Sequence, residues 1–275
     1  MTIDLHTHSN RSDGTDSPTD LVEKAKAVGL AGIGLTDHDA TVGWAEAQVA
    51  ADRVGIRLVK GVEVSTRFHD ASVHLLGYEF DPTDAALNAE FERVLGGRDD
   101  RLPFMLDKLA ALGMPLTAEQ VHEQNTEAVA SGRPHVADAM VAAGYIADRD
   151  EAFRDWLTPG KPAYVDRYAA DLFGAVRLLV AAGGKPVIAH AWARDSRNLM
   201  TPEVFAELAA LGLAGIEVDH PDHSAADRAA LAEIADSLDL AKTGSSDHHG
   251  LGKSAEFALG VNTTDPDQLE RLLGS

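Results

Sequence analysis

Histidine and carboxylate residues recur where short apolar runs of this chain end. Run 3–6 closes in His6-Thr7-His8, with Asp13 in the loop beyond, and run 31–36 closes in Thr36-Asp37-His38. Glu63 lies in run 56–64 and His74 in run 73–80, while His190 follows 186–189 and Ser246-Asp247-His248-His249-Gly250 follows 240–244. Side chains two apart on a strand share a face, so His6 and His8 can converge on one ion. Neutral imidazoles and carboxylates are ligands for zinc, manganese and iron alike. Nine candidates (six His, two Asp, one Glu) exceed the needs of one ion. Two or three divalent ions, with Glu63 bridging, fit that count. Closely spaced cations activate water and neutralise phosphoryl oxygens, an arrangement suited to phosphate-ester hydrolysis. Taken singly, His74 or His190 reads as an ordinary core histidine. Taken jointly they do not, because ionisable groups buried unpaired at six strand ends would cost several kcal/mol each.

The elements that must position these groups are legible in outline. The runs are near-continuous in Ile, Val and Leu, including a seventh at 213–218, as in strands buried on both faces of a parallel sheet. Helices lie between most of them. Ser17-Pro18-Thr19-Asp20 supplies an N-cap, a Pro at the first helical position and an acid three residues after the cap. Thr201-Pro202-Glu203 and Ser224-Ala225-Ala226-Asp227 open later helices in similar ways, and Gly29 and Gly212 fall where helices should end. Seven strands with intervening helices predict an α/β fold, a β/α barrel whose functional groups collect at the C-terminal ends of the strands.

The alternation breaks between about 81 and 168, where helices are expected over 84–95, 98–112, 117–124, 134–143 and 149–157. The expected division is a barrel from 1–81 and 169–275 with a helical insertion, or cap, over 82–168. An insertion in the loop after the fourth strand should emerge at the functional rim and overhang it. Arg133 and His135 stand out there as substrate-binding residues, since Arg grips phosphate oxygens bidentately. Lys161 and Arg194 are further candidates. Arg98 and Arg101, in the acidic stretch 98–107, read as a solvated face. His69, His122, His220 and His223 read as surface residues. Asp37, Asp39 and His248 flank candidate ligands in the chain and are expected to orient imidazoles. Glu217 and Asp219 stay open between that role and a solvated loop.

Composition limits the alternatives. The 275 residues carry 44 acidic and 24 basic groups, a formal charge of −20, with 45% hydrophobic residues. That profile is globular. The acidic balance opposes binding along duplex DNA, which needs clustered Lys and Arg, yet permits a small anionic substrate at a locally positive site. Zero Cys excludes disulfides, thiolate metal sites and cysteine nucleophiles. No apolar run approaches the ~20 residues of a membrane span, and the start lacks the basic and apolar regions of a signal peptide. A cytoplasmic protein is expected, of open oligomeric state.

Asp4-Leu5-His6-Thr7-His8-Ser9, Ser12-Asp13-Gly14-Thr15, Leu35-Thr36-Asp37-His38-Asp39, Gly61-Val62-Glu63-Val64, His74-Leu75-Leu76-Gly77-Tyr78 and Ser246-Asp247-His248-His249-Gly250 resemble the PHP (polymerase and histidinol phosphatase) superfamily. The nearest likeness is to its stand-alone, TrpH/YciV-like phosphoesterases, the branch that includes nucleoside 3′,5′-bisphosphate phosphatase activity. It extends through Arg133-Pro134-His135 and Gly160-Lys161-Pro162-Ala163-Tyr164-Val165. The resemblance implies a distorted seven-stranded barrel with a trinuclear site. By it, His6, His8, Glu63 and Asp247 would hold one ion, Glu63, His74 and His190 a second, and Asp13, His38 and His249 a third. One departure stands out: the family usually has Pro after the strand-five His, whereas this chain has His190-Ala191-Trp192. The expected reaction is hydrolysis of a nucleotide phosphomonoester, a 3′,5′-bisphosphonucleoside or a short RNA 5′ end, by hydroxide generated at manganese, iron or zinc. The alternatives are an amidohydrolase-type C–N hydrolase, a small-molecule phosphatase of the histidinol-phosphate kind, and a non-enzymatic nucleotide sensor. Asp13, His38 and His249, a third ligand set, favour the phosphoesterase.

Overall fold

The computed structural model describes residues 2–193 and 196–274. Its strands are β1 (Ile3–Thr7), β2 (Gly32–Leu35), β3 (Arg57–Phe68), β4 (Ala71–Tyr78), β5 (Ala170–Asp171), β6 (Lys185–Ile188), β7 (Gly215–Asp219) and β8 (Ala241–Gly244). They form one sheet in the order β1-β2-β3-β4-β6-β7-β8, with the short β5 paired to β3. A parallel bridge between Thr7 and His248 brings the outer strands together, and the His8 N–H donates to the His248 carbonyl at 2.8 Å. The result is a nearly closed barrel.

The near-continuous runs predict parallel strands throughout. β4 is the exception. It runs antiparallel to both β3 (Gly61 opposite Tyr78, Phe68 opposite Ala71) and β6 (Leu75 opposite Ile188). Only His69 and Asp70 separate β3 from β4, far short of the dozen or so residues a parallel crossover needs. The hairpin matters for function. It places the start of β4, with His74, at the same end of the barrel as the C-terminal ends of the other strands.

The end of β4 therefore lies at the opposite end of the barrel. The expectation that the helical segment springs from the functional rim is thus corrected: it leaves from the far end, where Asp81 N–H donates to the Ala182 carbonyl at 2.8 Å. Helix α3 (Ala85–Ala111), 27 residues long, carries the chain back over about 40 Å at 1.5 Å per residue. The two helices expected over 84–95 and 98–112 are this single one. Gly96 and Gly97 remain helical, and Pro103 lies inside. A Cβ on Gly97 would stand 3.1 Å from the Tyr168 Cβ, so glycine here permits the close approach of the returning chain.

The remaining helices are α1 (Pro18–Ala27), α2 (Trp44–Val54), α4 (Ala118–His122), α5 (Arg133–Ala142), α6 (Arg149–Ala152), α7 (Leu172–Ala181), α8 (Pro202–Ala210), α9 (Ala225–Ser237) and α10 (Pro266–Leu273). A π-helical turn, Phe153–Leu157, prolongs α6. The expected caps form: Ser17 and Ser224 accept from the N–H groups of Asp20 and Asp227. Gly29 and Gly212 take φ of +88° and +103° just past their helices, where a side chain would be strained.

Three apolar clusters organise the interior. One, including Ile33, Val62, Leu75, Leu179, Phe205 and Ile216, lies between sheet and helices. A second, with Leu5, Val59, Leu76, Tyr78 and Val187, is joined by Leu269 and Leu272 of α10. The third, with Met105, Leu109, Val121, Val136, Met140 and Leu157, belongs to the helical segment alone. No described helix is long and apolar enough to cross a membrane.

Candidate metal centre

Strand periodicity stacks this site on the second apolar cluster. On β4, Leu76 and Tyr78 lie in that cluster and His74, on the same face by alternation, reaches the centre. On β3, Val59 and Glu63 repeat the pattern. β1 carries a register shift between Asp4 and Thr7. Such a bulge re-aims side chains, so Ile3 and Leu5 join the apolar cluster while His6 and His8 join the ionic one.

The donor atoms converge closely. His6 Nε2 and His8 Nε2 are 3.0 Å apart, with Glu63 Oε2 at 3.2 and 3.1 Å and Asp247 Oδ1 at 3.5 and 3.4 Å from them. Ligands about 2.1 Å from a shared tetrahedral ion stand about 3.4 Å from one another, so these spacings suit a cation. The other carboxylate oxygen of Glu63 is 2.6 Å from His74 Nδ1 and 3.0 Å from His190 Nε2. Across the site, Asp13 lies 3.3 Å from His249 Nε2, 3.7 Å from His38 Nε2 and 3.8 Å from His8 Nδ1. Three groups thus have donor atoms within 4.8 Å of one another: His6, His8, Glu63 and Asp247; His38, Glu63 and His74; and His8, Asp13, His38 and His249. All these residues are buried. His8 Nδ1, His38 Nδ1 and Asp247 Oδ1 have no hydrogen-bond partner, a costly condition unless a cation completes them.

Charge is arranged to match. Burial opposes ionisation of Glu63, yet His38, His74 and His6 hold its carboxyl well below the ordinary range. Burial likewise opposes Asp247, and Lys253 with His6 and His249 brings it well down. Burial pushes His38 down to about 3 and His249 to about 4, which favours the lone-pair-bearing form of each imidazole. His8 is the contrast. Burial lowers it, but Asp247, Glu63 and Asp13 together raise it to about 9. Asp39, His190 and Asp247 adopt φ of +56°, +30° and +52°, strained values for non-glycine residues that a well-determined surround must enforce.

Neighbours fix the imidazoles. Glu217, left open by the sequence, is fully buried and accepts from His6 Nδ1 at 3.0 Å and from the His190 N–H at 2.5 Å. That bond commits His6 Nε2 to the centre. Asp219 is exposed instead, 3.6 Å from Arg228. Asp37 accepts from Ser9 and Ser12, bracing the loop that carries Asp13. Asp39 accepts from Ser65 and Arg98, and His248 Nδ1 donates to the Phe257 carbonyl at 3.0 Å.

Several expectations change here. Arg98 and Arg101 are not a solvated face; both are buried, because α3 packs against the barrel and the return segment on that side. His220 and His223 are also buried. His223 accepts from the Trp192 N–H and donates to the Val218 carbonyl, clipping the loop after β6 to the end of β7. His220 Nε2 lies 3.4 Å from Asp247 Oδ2, and its ring is 5.2 Å from that of His190. The signal that marks it is its place just past β7, at the same rim as every other strand-end group. His69 and His122 are exposed as expected, and so is Lys161, while Arg194 lies outside the described residues.

The helical segment meets this rim. His135 is buried, its Nδ1 accepting from the Gly132 N–H at 2.9 Å and its Nε2–H donating to the Ser12 carbonyl at 3.0 Å. With both nitrogens engaged it fastens the segment to the Asp13 loop. Asn125 adds bonds to the carbonyls of Asn10 and Ser12. Arg133 is half-buried, donates to the Leu157 carbonyl and faces the rings of Phe153 and Tyr164 at 5.9 Å.

The PHP domain model matches residues 4–145, from the first β1 ligand motif through most of the helical segment. The chain belongs to the PHP family. Among its relatives, the 3′,5′-nucleoside bisphosphate phosphatase of Chromobacterium violaceum is 38% identical over 251 residues, covering 91% of this chain and 88% of that one. The 5′-3′ exoribonuclease of Haemophilus influenzae is 34% identical over 249 residues, covering 90% and 89%. A crystal structure from Bifidobacterium adolescentis, assigned as a metal-dependent phosphoesterase, superposes with a TM-score of 0.93 at 36% identity over 98% of this chain and 95% of its own. A C. violaceum structure described as an amidohydrolase with bound sulfate matches with a TM-score of 0.88 at 36% identity, covering 99% and 98%. This PHP protein is a hydrolase, a metal-dependent phosphoesterase.

Proposed function

We propose that the protein removes a phosphate monoester from a nucleotide, either a 3′,5′-bisphosphonucleoside or the 5′ end of a short RNA, with two or three ions of manganese, iron or zinc. The observation that carries this reading is the set of three adjoining donor groups that share Glu63, His8 and His38. His6, His8, Glu63 and Asp247 would hold one ion, Glu63, His74 and His190 a second, and Asp13, His38 and His249 a third. Such ions lower the pKa of water and neutralise phosphoryl oxygens. The third group supports phosphate chemistry over C–N hydrolysis, since three cations suit an anionic substrate.

The chain's own residues supply the remainder. Glu217 holds His6 in one tautomer and ties the His190 backbone to the same carboxylate. Residues 82–168 form a cap over a barrel built from 1–81 and 169–275, with His135 fixing the cap to the Asp13 loop. Arg133 places a permanent positive charge on that side, where it steadies an anionic substrate. The names of the relatives support a nucleotide substrate.

The test is direct. Protein reconstituted separately with manganese, iron and zinc is assayed for phosphate release from nucleoside 3′,5′-bisphosphates, mononucleotides and 5′-phosphorylated oligoribonucleotides. Turnover of one of these is expected. Hydrolysis of cyclic amides without any phosphate release would favour the C–N reading instead.

A further inference from the structure

Two buried histidines follow β7, and their surroundings differ. His223 has both ring nitrogens engaged: Nδ1–H donates to the Val218 carbonyl at 2.9 Å, and Nε2 accepts from the Trp192 N–H at 3.2 Å. His220 has one engaged. Its Nδ1 accepts from the Asp222 N–H at 3.1 Å, while Nε2 is buried without a hydrogen-bond partner among the described residues. A ring nitrogen that accepts carries no proton, so His220 is neutral with its proton on Nε2. A protonated nitrogen has no lone pair for a cation, which excludes a ligand role for Nε2. A buried N–H left unpaired is unfavourable. The acceptor it faces is a carboxylate: Nε2 lies 3.4 Å from Asp247 Oδ2, just beyond a good hydrogen bond.

The turn that carries His220 is firmly held. Its carbonyl accepts from the His223 N–H at 3.1 Å and from Arg228 at 2.8 Å, and Arg228 also bonds the His223 carbonyl and Asn262 Oδ1, each at 3.2 Å. The ring is fully buried, 5.2 Å from that of His190 and 6.0 Å from that of Phe257. Asp247 needs such support, because its φ of +52° is strained for a residue with a side chain. Its two carboxylate oxygens are equivalent until neighbours distinguish them. Oδ1 lies 3.5, 3.4 and 3.4 Å from His6 Nε2, His8 Nε2 and His249 Nδ1 and has no hydrogen-bond partner. Oδ2 faces Lys253 and His220. Lys253 is a partly exposed ammonium on a flexible stem, over the Phe257 ring at 4.4 Å; it supplies charge but little direction. The rigid donor at Oδ2 is His220.

We infer that His220 is a positioning residue for the metal centre: its Nε2–H takes Asp247 Oδ2 and so turns Oδ1 toward the ion shared with His6, His8 and Glu63. The inference rests on the reading of Asp247 as a ligand and goes beyond it, because it makes the turn after β7 a determinant of metal affinity. β7 ends without a candidate ligand of its own. Glu217 on that strand orients the imidazole of His6, and His220 just past it orients the carboxylate of Asp247. One strand thus supports both kinds of ligand.

The experiment loads the full chain and its His220→Met and His220→Gln variants with cobalt(II), whose visible absorption reports ligand geometry. Met fills the space without a donor, whereas Gln places an N–H near the position of Nε2. In competition with a chelator, His220→Met should bind cobalt(II) about 10–100-fold more weakly, the scale of losing a residue that supports a ligand. Its absorption bands should shift as well. His220→Gln should recover both the affinity and the spectrum of the wild type. Equal weakening in the Met and Gln variants would show that only the packing of the ring matters and would overturn the inference. Unchanged affinity and spectrum in His220→Met would also overturn it. If His220→Met does not fold, His220→Asn replaces it, since its shorter side chain cannot bring a donor to Asp247 Oδ2. Binding about tenfold weaker than in His220→Gln then sustains the inference, and equal binding ends it. Phosphate release from nucleotides is followed on the same samples. A wild type that turns over, beside a His220→Met variant that binds cobalt(II) normally, ends the inference and leaves the phosphatase reading intact. Absence of turnover in every loaded protein, with the cobalt(II) pattern as expected, removes the phosphatase reading and leaves the inference standing.

Discussion

The metal centre and the arginines of the helical segment and its return, Arg98, Arg101, Arg133 and Arg167, are built in opposite ways. In the first, carboxylates and imidazoles crowd together at the spacing a cation requires; in the second, guanidiniums crowd together with little to neutralise them. The donors of the first come from strand ends and the turns just beyond, where ladder hydrogen bonds and the alternation of the pleat fix direction. The arginines come from a long helix, a helix start and a return segment, and packing brings together positions as far apart in the chain as Arg98 and Arg167. A rigid frame suits a polynuclear metal site, where small displacements matter. A surface assembled from a helical segment can vary without disturbing that frame, which suits the choice of substrate.

The largest effect expected in this comparison belongs to the strand-end residues. His6→Ala or Asp247→Ala removes a donor from a group of four and should abolish measurable turnover while lowering the metal content found by elemental analysis. Removing even a residue that only supports a ligand commonly costs about 10–100-fold, so losses of about 10²-fold or more are expected for the ligands themselves. Normal turnover in either variant would refute the assignment. Asp13→Ala should be milder in metal terms. It touches the His38–His249 side, and part of the metal should remain; loss of all metal together with unfolding would mean that the three groups cannot be separated from the fold.

Glu217→Gln comes next. It keeps the shape but weakens the hold on His6, and a loss of about 10–100-fold in metal affinity or activity is expected, with the fold intact by circular dichroism. Unchanged affinity would show that the His6 tautomer does not depend on this carboxylate. Arg133→Ala should follow at about 1–3 kcal/mol in kcat/KM for nucleotide substrates, with metal content unchanged. Kinetics that do not move across several nucleotides would reduce Arg133 to a packing residue against Phe153 and Tyr164.

The two regions also differ in how far sequence alone reveals them. Most of these groups are marked by a local pattern, an apolar run closing in His or Asp, and Glu63 and His74 stand out as ionisable residues inside such runs, so the metal side is legible from residue order alone. Its geometry is less so. Antiparallel β4 follows from the two-residue gap at His69 and Asp70, a signal that the near-continuous apolar run outweighs. His220 also ends a run, yet it forms no spacing motif and so does not stand out. The arginines have no local mark beyond the three-residue step from Arg98 to Arg101. In an acidic helix that step resembles a solvated face, yet α3 packs Arg98 against Asp39, Ser65 and the start of α5. Contacts between distant segments leave no periodicity in a sequence, which is why the barrel can be read there and the surface of the helical segment cannot.

The smallest effect probes the joint between the regions. His135 bonds the Gly132 N–H on one side and the Ser12 carbonyl on the other, next to Asp13 in the chain. Each neutral hydrogen bond contributes about 0.5–1.5 kcal/mol, so His135→Ala should lower stability by about 1–3 kcal/mol and Tm by several degrees. The barrel should survive, since its two apolar clusters contain no residue of this contact. What should change selectively is the part of the site that Asp13 serves. Hydrogen exchange should quicken in the loop from Asn10 to Gly14 and around Gly132, while β3 and β4 remain protected. Metal content should fall by a fraction, as in Asp13→Ala, and not to zero. His135→Gln, which retains a donor near the Ser12 carbonyl, should recover part of the loss. If exchange in the loop is unchanged while turnover collapses, His135 acts on the substrate itself, and the fastening of the helical segment to the barrel must come from Asn125 and its neighbours.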